Sequence, residues 1–353
     1  MSRPRRVLIV GWDGATWDVA DPLIAAGRLP HLAALRARGF GIELRSTIPP
    51  VTPAAWTAMA TGLSPGGSGV LSFRHLDLRR PSAYAPRLAS SEDLRGRTLY
   101  EHAAGRGLGV LLLAHPMTWP PFDLQGGVLL SGWPRPETAE PPIRPVEAGL
   151  GLRPWGEGST RPAVAGRTRA GLRDPEAAAD ELDGRTMRAA LHLLRARPEP
   201  LAFVGLQGPD HVAHRAFGTE ALRRTYERCD RWLGELIAVA GPDAAVFVVS
   251  DHGFGPAPRA RVHLGRALRE AGLLGLRAGA AGPDPLGAAA RGWRGRLPPG
   301  LWKRTRDRLP GPLRRWGYER AHGLHEVAPD LTAVVRVPLY EGFEGLVVQV
   351  RGR

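Results

Sequence analysis

The sequence predicts an α/β fold in which helices cover both faces of a mostly parallel central sheet. Several short runs are continuously apolar, as is typical of strands that are buried on both faces. Segments with helical spacing of apolar residues separate these runs. The chain has 353 residues, of which 43% are hydrophobic, so it is long enough for one large domain with insertions.

The strands and helices alternate along the chain. The helix at 28–39 places Leu29, Leu32 and Leu35 on one face and ends at Gly39. The helix at 53–62 begins with a proline, which favours a first helical position. Two further helices are predicted at 175–197 and 221–240, and the predicted strands are 6–11, 109–114, 127–132, 201–206 and 244–250.

Two stretches interrupt this alternation. A Gly- and Pro-rich stretch at about 134–175 is predicted to be an insertion that caps the sheet. A basic stretch lies in the last part of the chain. We therefore predict a core over residues 1–270 that contains the first insertion, and a basic cap segment with the C-terminal part of the core over 271–353.

The net charge of +14 is strongly basic, and arginine carries almost all of it, since Lys303 is the only lysine. Positive charge is densest at 291–316, where aromatic residues are interspersed. Such a segment could bind nucleic acid or an anionic membrane surface. Prolines break it into short pieces, so an ordinary cap is an equally good interpretation, and most other arginines are expected to be solvated at the surface.

The start of the chain predicts where the protein is located, and its cysteine content limits the disulfides and metal sites that it can form. Basic residues precede an apolar run of only about four residues, against the ~7–15 of a signal-peptide core. The run fits a buried first strand better, so we expect a cytoplasmic protein. The single cysteine, Cys229, excludes an intramolecular disulfide and a CxxC metal site, and its helical context predicts a small buried side chain.

Acids and histidines follow three of the predicted strands. Asp13 follows the first, Asp210 and His214 follow 201–206, and Asp251 and His252 follow 244–250. Ligands of open α/β sheets bind at the carboxyl ends of strands, where these side chains would meet. Carboxylate and imidazole together suit zinc, manganese or iron better than magnesium. The alternative for each acid after a strand is a helix cap.

Thr52 lies between a Pro-rich loop and a predicted helix. A hydroxyl at this position is commonly an N-cap. The functional alternative is a nucleophile, because a helix N-terminus favours an anion and a divalent cation can ionise a hydroxyl. His115 follows the strand 109–114 and is a further candidate for lining a pocket at the same edge.

Five segments carry a resemblance to a known family: VGWDGATWD, STIPPVTPAAWTAMATGLSPGGSGV, PMTWPP, GPDHVAH and SDHGFG. Spread over roughly residues 7–255, they resemble the type I phosphodiesterase/nucleotide pyrophosphatase branch of the alkaline phosphatase superfamily. The resemblance implies an alkaline phosphatase-like core that binds two divalent metal ions, zinc or manganese. Thr52 would attack phosphorus and form a phospho-threonine. The implied ligands of the first metal are Asp13, Thr52, Asp251 and His252, and those of the second are Asp210, His214 and a later histidine.

The sequence departs from the family pattern at two places. The run PGGSGV, with Ser68, stands where relatives often have a histidine, which affects substrate contacts. The third histidine of the second metal is expected to be His325, with His322 as the alternative. A further alternative is a natural truncation or a fragment, since the final segment EGFEGLVVQVRGR resembles one that relatives place before this histidine.

These observations predict a metal-dependent phosphohydrolase that cleaves phosphodiester or phosphomonoester bonds of a small-molecule substrate. One alternative is a phosphotransferase or phosphomutase on the same scaffold. Another is a catalytically degenerate protein that binds a phosphorylated ligand. A sulfatase is disfavoured because the sequence around Thr52 lacks a cysteine or serine in a C/S-x-P-x-R run.

Overall fold

The computed structural model describes residues 6–75, 88–134, 143–145, 174–256, 264–275, 334–340 and 343–348. The basic segment 291–316, His322, His325 and most of the predicted insertion 134–175 lie outside these residues. The described residues fall into two compact units. The first holds those of 6–73, 88–145 and 174–256, and the second holds those of 74–75, 264–275, 334–340 and 343–348. The predicted division at residue 270 stays a prediction.

The first unit is a six-stranded sheet with helices. Its strands are β1 (Arg6–Trp12), β2 (Val110–His115), β3 (Val128–Ser131), β4 (Ile143–Arg144), β5 (Leu201–Leu206) and β6 (Ala244–Val249). Its helices are α1 (Trp17–Ala25), α2 (Pro30–Arg38), α3 (Thr52–Thr61), α4 (Pro65–Ser68), α5 (Leu99–Ala104), α6 (Pro175–Ala196), α7 (Gly208–Ala216) and α8 (Glu220–Ala240). A 3-10 turn covers Ser91–Asp93.

The second unit contains helix α9 (Leu264–Glu270) and strands β7 (Val334–Tyr340) and β8 (Phe343–Val348). The two strands pair with each other in antiparallel orientation. None of the helices in the described part of the chain has both the length and the apolar content that crossing a bilayer would require.

The strand order in the sheet of the first unit is β4-β3-β2-β5-β1-β6. All neighbouring pairs are parallel except β3 and β4. Strand β1 therefore lies between β5 and β6, although these two strands come much later in the chain. This order brings the carboxyl ends of β5, β1 and β6 side by side.

Successive residues of a strand pack alternately into two hydrophobic cores, one on each face of the sheet. In β2, Leu111 and Leu113 belong to the core that is completed by α1, α2, α6, α7 and α8. Val110 and Leu112 belong to the core that is completed by α3 and α5. All four are fully buried, and burial of each such side chain contributes about 1.5–3 kcal/mol.

The predicted fold class is confirmed, because a mostly parallel sheet has helices on both faces. The predicted strands and helices of the first unit are present, and Cys229 is buried as predicted. The helix predicted at 53–62 begins one residue earlier, at Thr52. Helices α1 and α5, the edge strand β4 and the hairpin of β7 and β8 were not among the predicted elements.

Candidate active site

Parallel pairing brings Asp13 and Asp251 to the same level of the sheet. Gly11 in β1 pairs with Val249 in β6, and each aspartate follows its paired residue by two positions. On the other side, the main-chain N–H of Asp13 donates to the carbonyl of Leu206, the last residue of β5. The two aspartates therefore extend from adjacent strands at one edge of the sheet.

The candidate ligands Asp13, Thr52, Asp251 and His252 meet at this edge. The Thr52 Oγ1 atom lies 3.4 Å from Asp13 Oδ1 and 3.3 Å from His252 Nε2. His252 Nε2 lies 3.6 Å from Asp13 Oδ1 and 3.5 Å from Asp251 Oδ2. One ligand atom from each of Asp13, Asp251 and His252 lies within 4.8 Å of the others, so these three residues could hold one metal ion.

Helix capping does not account for the two aspartates. Thr16 caps α1, since its side chain accepts from the N–H of Asp18, so Asp13 has no capping role there. Residues 252–256, which follow Asp251, form no helix, and Asp251 Oδ1 accepts a hydrogen bond from the main-chain N–H of Gly14 at 3.2 Å. This bond ties the loop after β6 to the loop after β1.

Thr52 is the first residue of α3 and does not cap it. The N-cap position is Val51, and no side chain caps this helix end. The N-cap alternative for Thr52 is therefore wrong. Thr52 is buried, with 6% of its surface exposed, and its hydroxyl is directed to the carboxylate and imidazole described above. The positive end of the α3 dipole lies beside it.

The His252 ring is held in one tautomer. Its Nδ1 lies 2.9 Å from the carbonyl oxygen of Gly253, which can only accept, so Nδ1 carries the proton. In the neutral ring the lone pair is then on Nε2, the atom that faces Asp13, Thr52 and Asp251. A carbonyl partner of this kind is the usual companion of a metal-binding histidine.

The carboxyl groups of Asp13 and Asp251 are buried, and the positive charge around them does not offset the cost of ionising them. Burial, together with the negative charges of Asp251 and Asp210, raises the pKa of Asp13 well above its usual range. Burial and the charge of Asp210 raise the pKa of Asp251 to about 8. Asp251 Oδ2 is buried and has no hydrogen-bond partner. A divalent cation would satisfy this atom and neutralise both carboxylates, so the residues fit a metal ion.

Asp210 and His214 lie one turn apart on α7, as predicted, with 3.4 Å between Asp210 Oδ1 and His214 Nε2. Burial raises the pKa of Asp210, but His214 and the nearby His211 and His252 outweigh burial and lower it. His214 also packs edge-on against the ring of Phe254 at 4.9 Å. Asp210 lies next to the first cluster, because a Cβ atom on Gly14 would lie 3.1 Å from its Oδ1 atom and the Gly14 N–H donates to Asp251.

His115 is not part of this cluster. It is buried between the rings of Trp56, Tyr100 and Phe203, at centroid distances of 5.7, 5.4 and 4.6 Å. Its position at the end of β2 agrees with the predicted sheet edge, but its ring points into the core of that face. The third-histidine candidates, His325 and His322, lie outside the described residues.

Four polar contacts at the site, made by the side chains of one tryptophan and two serines, were not predicted. Trp56 Nε1 donates to Asp13 Oδ2 at 3.3 Å. Ser46 donates to the carbonyl of Asp251 at 2.6 Å, and the Ser250 hydroxyl accepts from Ala15 N–H and donates to the carbonyl of His252. Ser250 directly precedes the predicted ligand Asp251 in the sequence, which is a weak signal, whereas Ser46 lies six residues before Thr52. A tryptophan within an apolar helix gives no signal beyond core packing.

The sequence model of a family described as type I phosphodiesterase / nucleotide pyrophosphatase matches residues 7–309. The chain belongs to this family. The match spans every described candidate ligand, from Asp13 to His252. Members of the type I phosphodiesterase family are phosphoester hydrolases of the alkaline phosphatase superfamily. No curated protein matches the chain.

Solved structures also resemble this member of the type I phosphodiesterase family. Phosphonoacetate hydrolase from Sinorhizobium meliloti 1021 in complex with phosphonoacetate has a TM-score of 0.57 and 21% identity, over 80% of this chain and 66% of that chain. The same enzyme in complex with phosphonoformate has a TM-score of 0.56 and 22% identity, over 76% and 62%. The chain thus spans less than two thirds of the length of these proteins, and the likeness establishes the fold.

Proposed function

We propose that the protein is a metal-dependent phosphohydrolase that cleaves a phosphate ester through a phospho-threonine on Thr52. The observation that carries this proposal is the contact of the Thr52 hydroxyl with both Asp13 and His252, at 3.4 and 3.3 Å. A hydroxyl that only capped a helix would have its own helix's N–H groups as partners. Family membership supports the same reaction class.

The proposed ligands fall into two sets. Asp13, Thr52, Asp251 and His252 would hold one divalent cation, zinc or manganese. Asp210 and His214, with a later histidine, would hold a second. When bound, the cations would supply Lewis acidity that ionises the hydroxyl and neutralises charge on the phosphoryl oxygens.

In the first proposed step, Thr52 Oγ1 attacks phosphorus, and the proton of its hydroxyl ends on the leaving-group oxygen. A bond forms between Oγ1 and phosphorus while the bond from phosphorus to the leaving-group oxygen breaks. The substrate's phosphoryl group would lie beside the N-terminus of α3, which favours negative charge through its dipole and free N–H groups. Asp13 and His252 hold the attacking oxygen in position on one side.

In the second proposed step, water attacks the phosphorus of the phospho-threonine. The bond between phosphorus and Oγ1 breaks, phosphate or a phosphomonoester leaves, and Thr52 takes up a proton again. Burial of Thr52 and Asp13 limits solvent around the reacting atoms, which strengthens electrostatic interactions there. An acceptor alcohol in place of water would make the protein a phosphotransferase.

Turnover of bis-para-nitrophenyl phosphate by Thr52 variants tests the proposal. Protein treated with a chelator and then reloaded with Zn²⁺ or Mn²⁺ should hydrolyse this diester, and the chelated protein should not. Thr52→Ala should lower kcat on the order of a thousandfold or more, because it removes the nucleophile. Thr52→Ser keeps a hydroxyl and should retain far more activity, and acid quenching should trap one phosphoryl group on Thr52.

Two results would count against the proposal. One is a Thr52→Ala variant that is as active as Thr52→Ser, because this result would show that Thr52 is not the nucleophile. The other is a metal-loaded wild type without turnover of diester or monoester substrates. If the phospho-threonine transfers its phosphoryl group to added alcohols and not to water, the protein is a phosphotransferase and not a hydrolase.

A further inference from the structure

The N-terminus of α7 is capped by a side chain from another helix. Gln207, at the N-cap position, makes no capping hydrogen bond of its own. Asp183 of α6 accepts the N–H of Gln207 at 2.9 Å on Oδ1 and the N–H of Gly208 at 2.8 Å on Oδ2. One carboxylate thus satisfies two of the N–H groups that a helix start leaves free.

Asp183 is tightly enclosed at this helix end. Only 2% of its surface is exposed. A Cβ atom on Gly208 would lie 2.6 Å from Asp183 Oδ2 and 3.1 Å from Thr225 Cγ2, so α6, α7 and α8 approach as closely as a glycine allows. A change in the direction of the Asp183 side chain would therefore move the first turn of α7.

The first turn of α7 also carries Asp210, two residues after Gly208. Asp210 packs against the loop after β1, since a Cβ atom on Gly14 would lie 2.9 Å from its Cβ atom. We propose that Asp183 is a positioning residue for the cation site of Asp210 and His214, because it fixes the first turn of α7, where Asp210 lies against Gly14 and the Gly14 N–H donates to Asp251. This inference rests on the proposed function.

The chain contains a matched control for this role. Asp230 of α8 accepts the N–H of His31 at 3.1 Å and the N–H of Leu32 at 2.7 Å, so it caps α2 in the same way. It is as deeply buried, at 1% exposure, and the N-cap residue of α2 likewise makes no side-chain capping bond. Helix α2 carries none of the proposed ligands, so loss of this cap affects stability alone.

Calorimetric titration of the chelated full chain with Zn²⁺ and with Mn²⁺ tests the inference. Asp210→Asn identifies the binding event that depends on α7. Asp183→Asn leaves one N–H without an acceptor and should weaken that event about 10–100-fold, the usual effect of removing an outer support of a metal ligand. Asp230→Asn should retain wild-type affinity in both events, although urea unfolding should show a similar loss of stability in both variants.

A second variant keeps the test valid if Asp183→Asn does not fold. Gly208→Ala retains the carboxylate but displaces it, and should weaken the same event. Suppose that the wild type shows the Asp210-dependent binding event and that Asp183→Asn or Gly208→Ala binds with the same affinity. Asp183 would then be only a structural cap, and the proposed function would be unaffected. Absence of any metal binding by the wild type would overturn both.

Discussion

Gly14 is the residue whose backbone allows the acidic side chains to approach each other. Its φ of 65° lies in the left-handed region, which glycine adopts without steric cost. Its N–H donates to Asp251 Oδ1, and its Cα faces Asp210. One residue thus joins the loop after β1 to a ligand candidate from β6 and to another from α7.

Gly14→Ala should therefore strain the backbone and also displace the side chain of Asp210. The left-handed conformation costs a non-glycine residue about 1–2 kcal/mol. In addition, the new methyl group would lie 2.9 Å from Asp210 Cβ and 3.1 Å from its Oδ1. We expect a lower free energy of unfolding in urea and at least about tenfold weaker Zn²⁺ or Mn²⁺ binding in a calorimetric titration.

Gly27→Ala is the matched control for this prediction. Gly27 also has a left-handed φ, of 71°, but nothing lies within 4 Å of its would-be Cβ atom. It should lose about 1–2 kcal/mol of stability and keep wild-type metal affinity. Equal metal affinities in the two variants would show that Asp210 does not need this close approach.

At the level of the element, α3 holds Asp13 from two sides. Thr52 and Trp56 are four residues apart and so lie on the same face of the helix. Thr52 Oγ1 contacts Asp13 Oδ1, and Trp56 Nε1 donates to Asp13 Oδ2 at 3.3 Å. The Trp56 ring packs where a side chain on Gly11 would collide with it, at 2.6 Å. The helix thereby fixes the carboxylate and the hydroxyl relative to each other.

Trp56→Phe should lower kcat for the diester by roughly tenfold, equivalent to about 1.4 kcal/mol. The reason is that the Asp13 carboxylate would lose a hydrogen bond that fixes its orientation. The phenyl ring keeps most of the packing against Gly11 and Phe203, so KM should change less than kcat. Steady-state kinetics of the metal-loaded protein measure both quantities.

Trp12→Phe separates the hydrogen bond from packing in this experiment. Trp12 is equally buried, at 2% exposure, and precedes Asp13 directly, but its Nε1 has no hydrogen-bond partner. Its replacement removes similar volume and no hydrogen bond. If both variants lowered kcat by the same factor, lost packing and not the bond to Asp13 would be the cause.

For the whole molecule, the parts of the site that follow from local sequence were predictable. Asp13 and Asp251 each end an apolar run, and Asp210 and His214 show helical spacing within a few residues. The order β5-β1-β6, which places these ends side by side, depends on pairing between distant segments and has no local signal. Trp56 and Asp183 were missed because their roles depend on a partner more than 20 residues away.

The pH dependence of folding is also a property of the whole molecule, and His115 contributes to it. The ring is 2% exposed, and burial lowers its pKa to about 4, although a hydrogen bond from Nδ1 to the carbonyl of Pro116 opposes the shift. Its Nε2 has no partner and lines a cavity of about 10 Å³ with Thr57 and Tyr100. The folded protein thus keeps this imidazole neutral below the pH at which an unfolded chain protonates it.

The sign of the effect follows from linkage. Between the unfolded value of 6.5 and about 4, the unfolded chain binds a proton at His115 that the folded chain does not, so lower pH favours unfolding. Over this range the residue should remove up to about 3 kcal/mol of stability. Buried carboxylates with raised pKa values change stability in the opposite direction, so only the difference between wild type and His115→Gln isolates this contribution.

Urea unfolding of the chelated protein at several pH values between 7 and 4.5 measures that difference. The free energy of unfolding of the wild type minus that of His115→Gln should fall as the pH falls, because the glutamine takes up no proton. A constant difference for His115→Gln would mean that water reaches the ring in the folded state, and that Tyr100 and Thr57 do not enclose a dry imidazole.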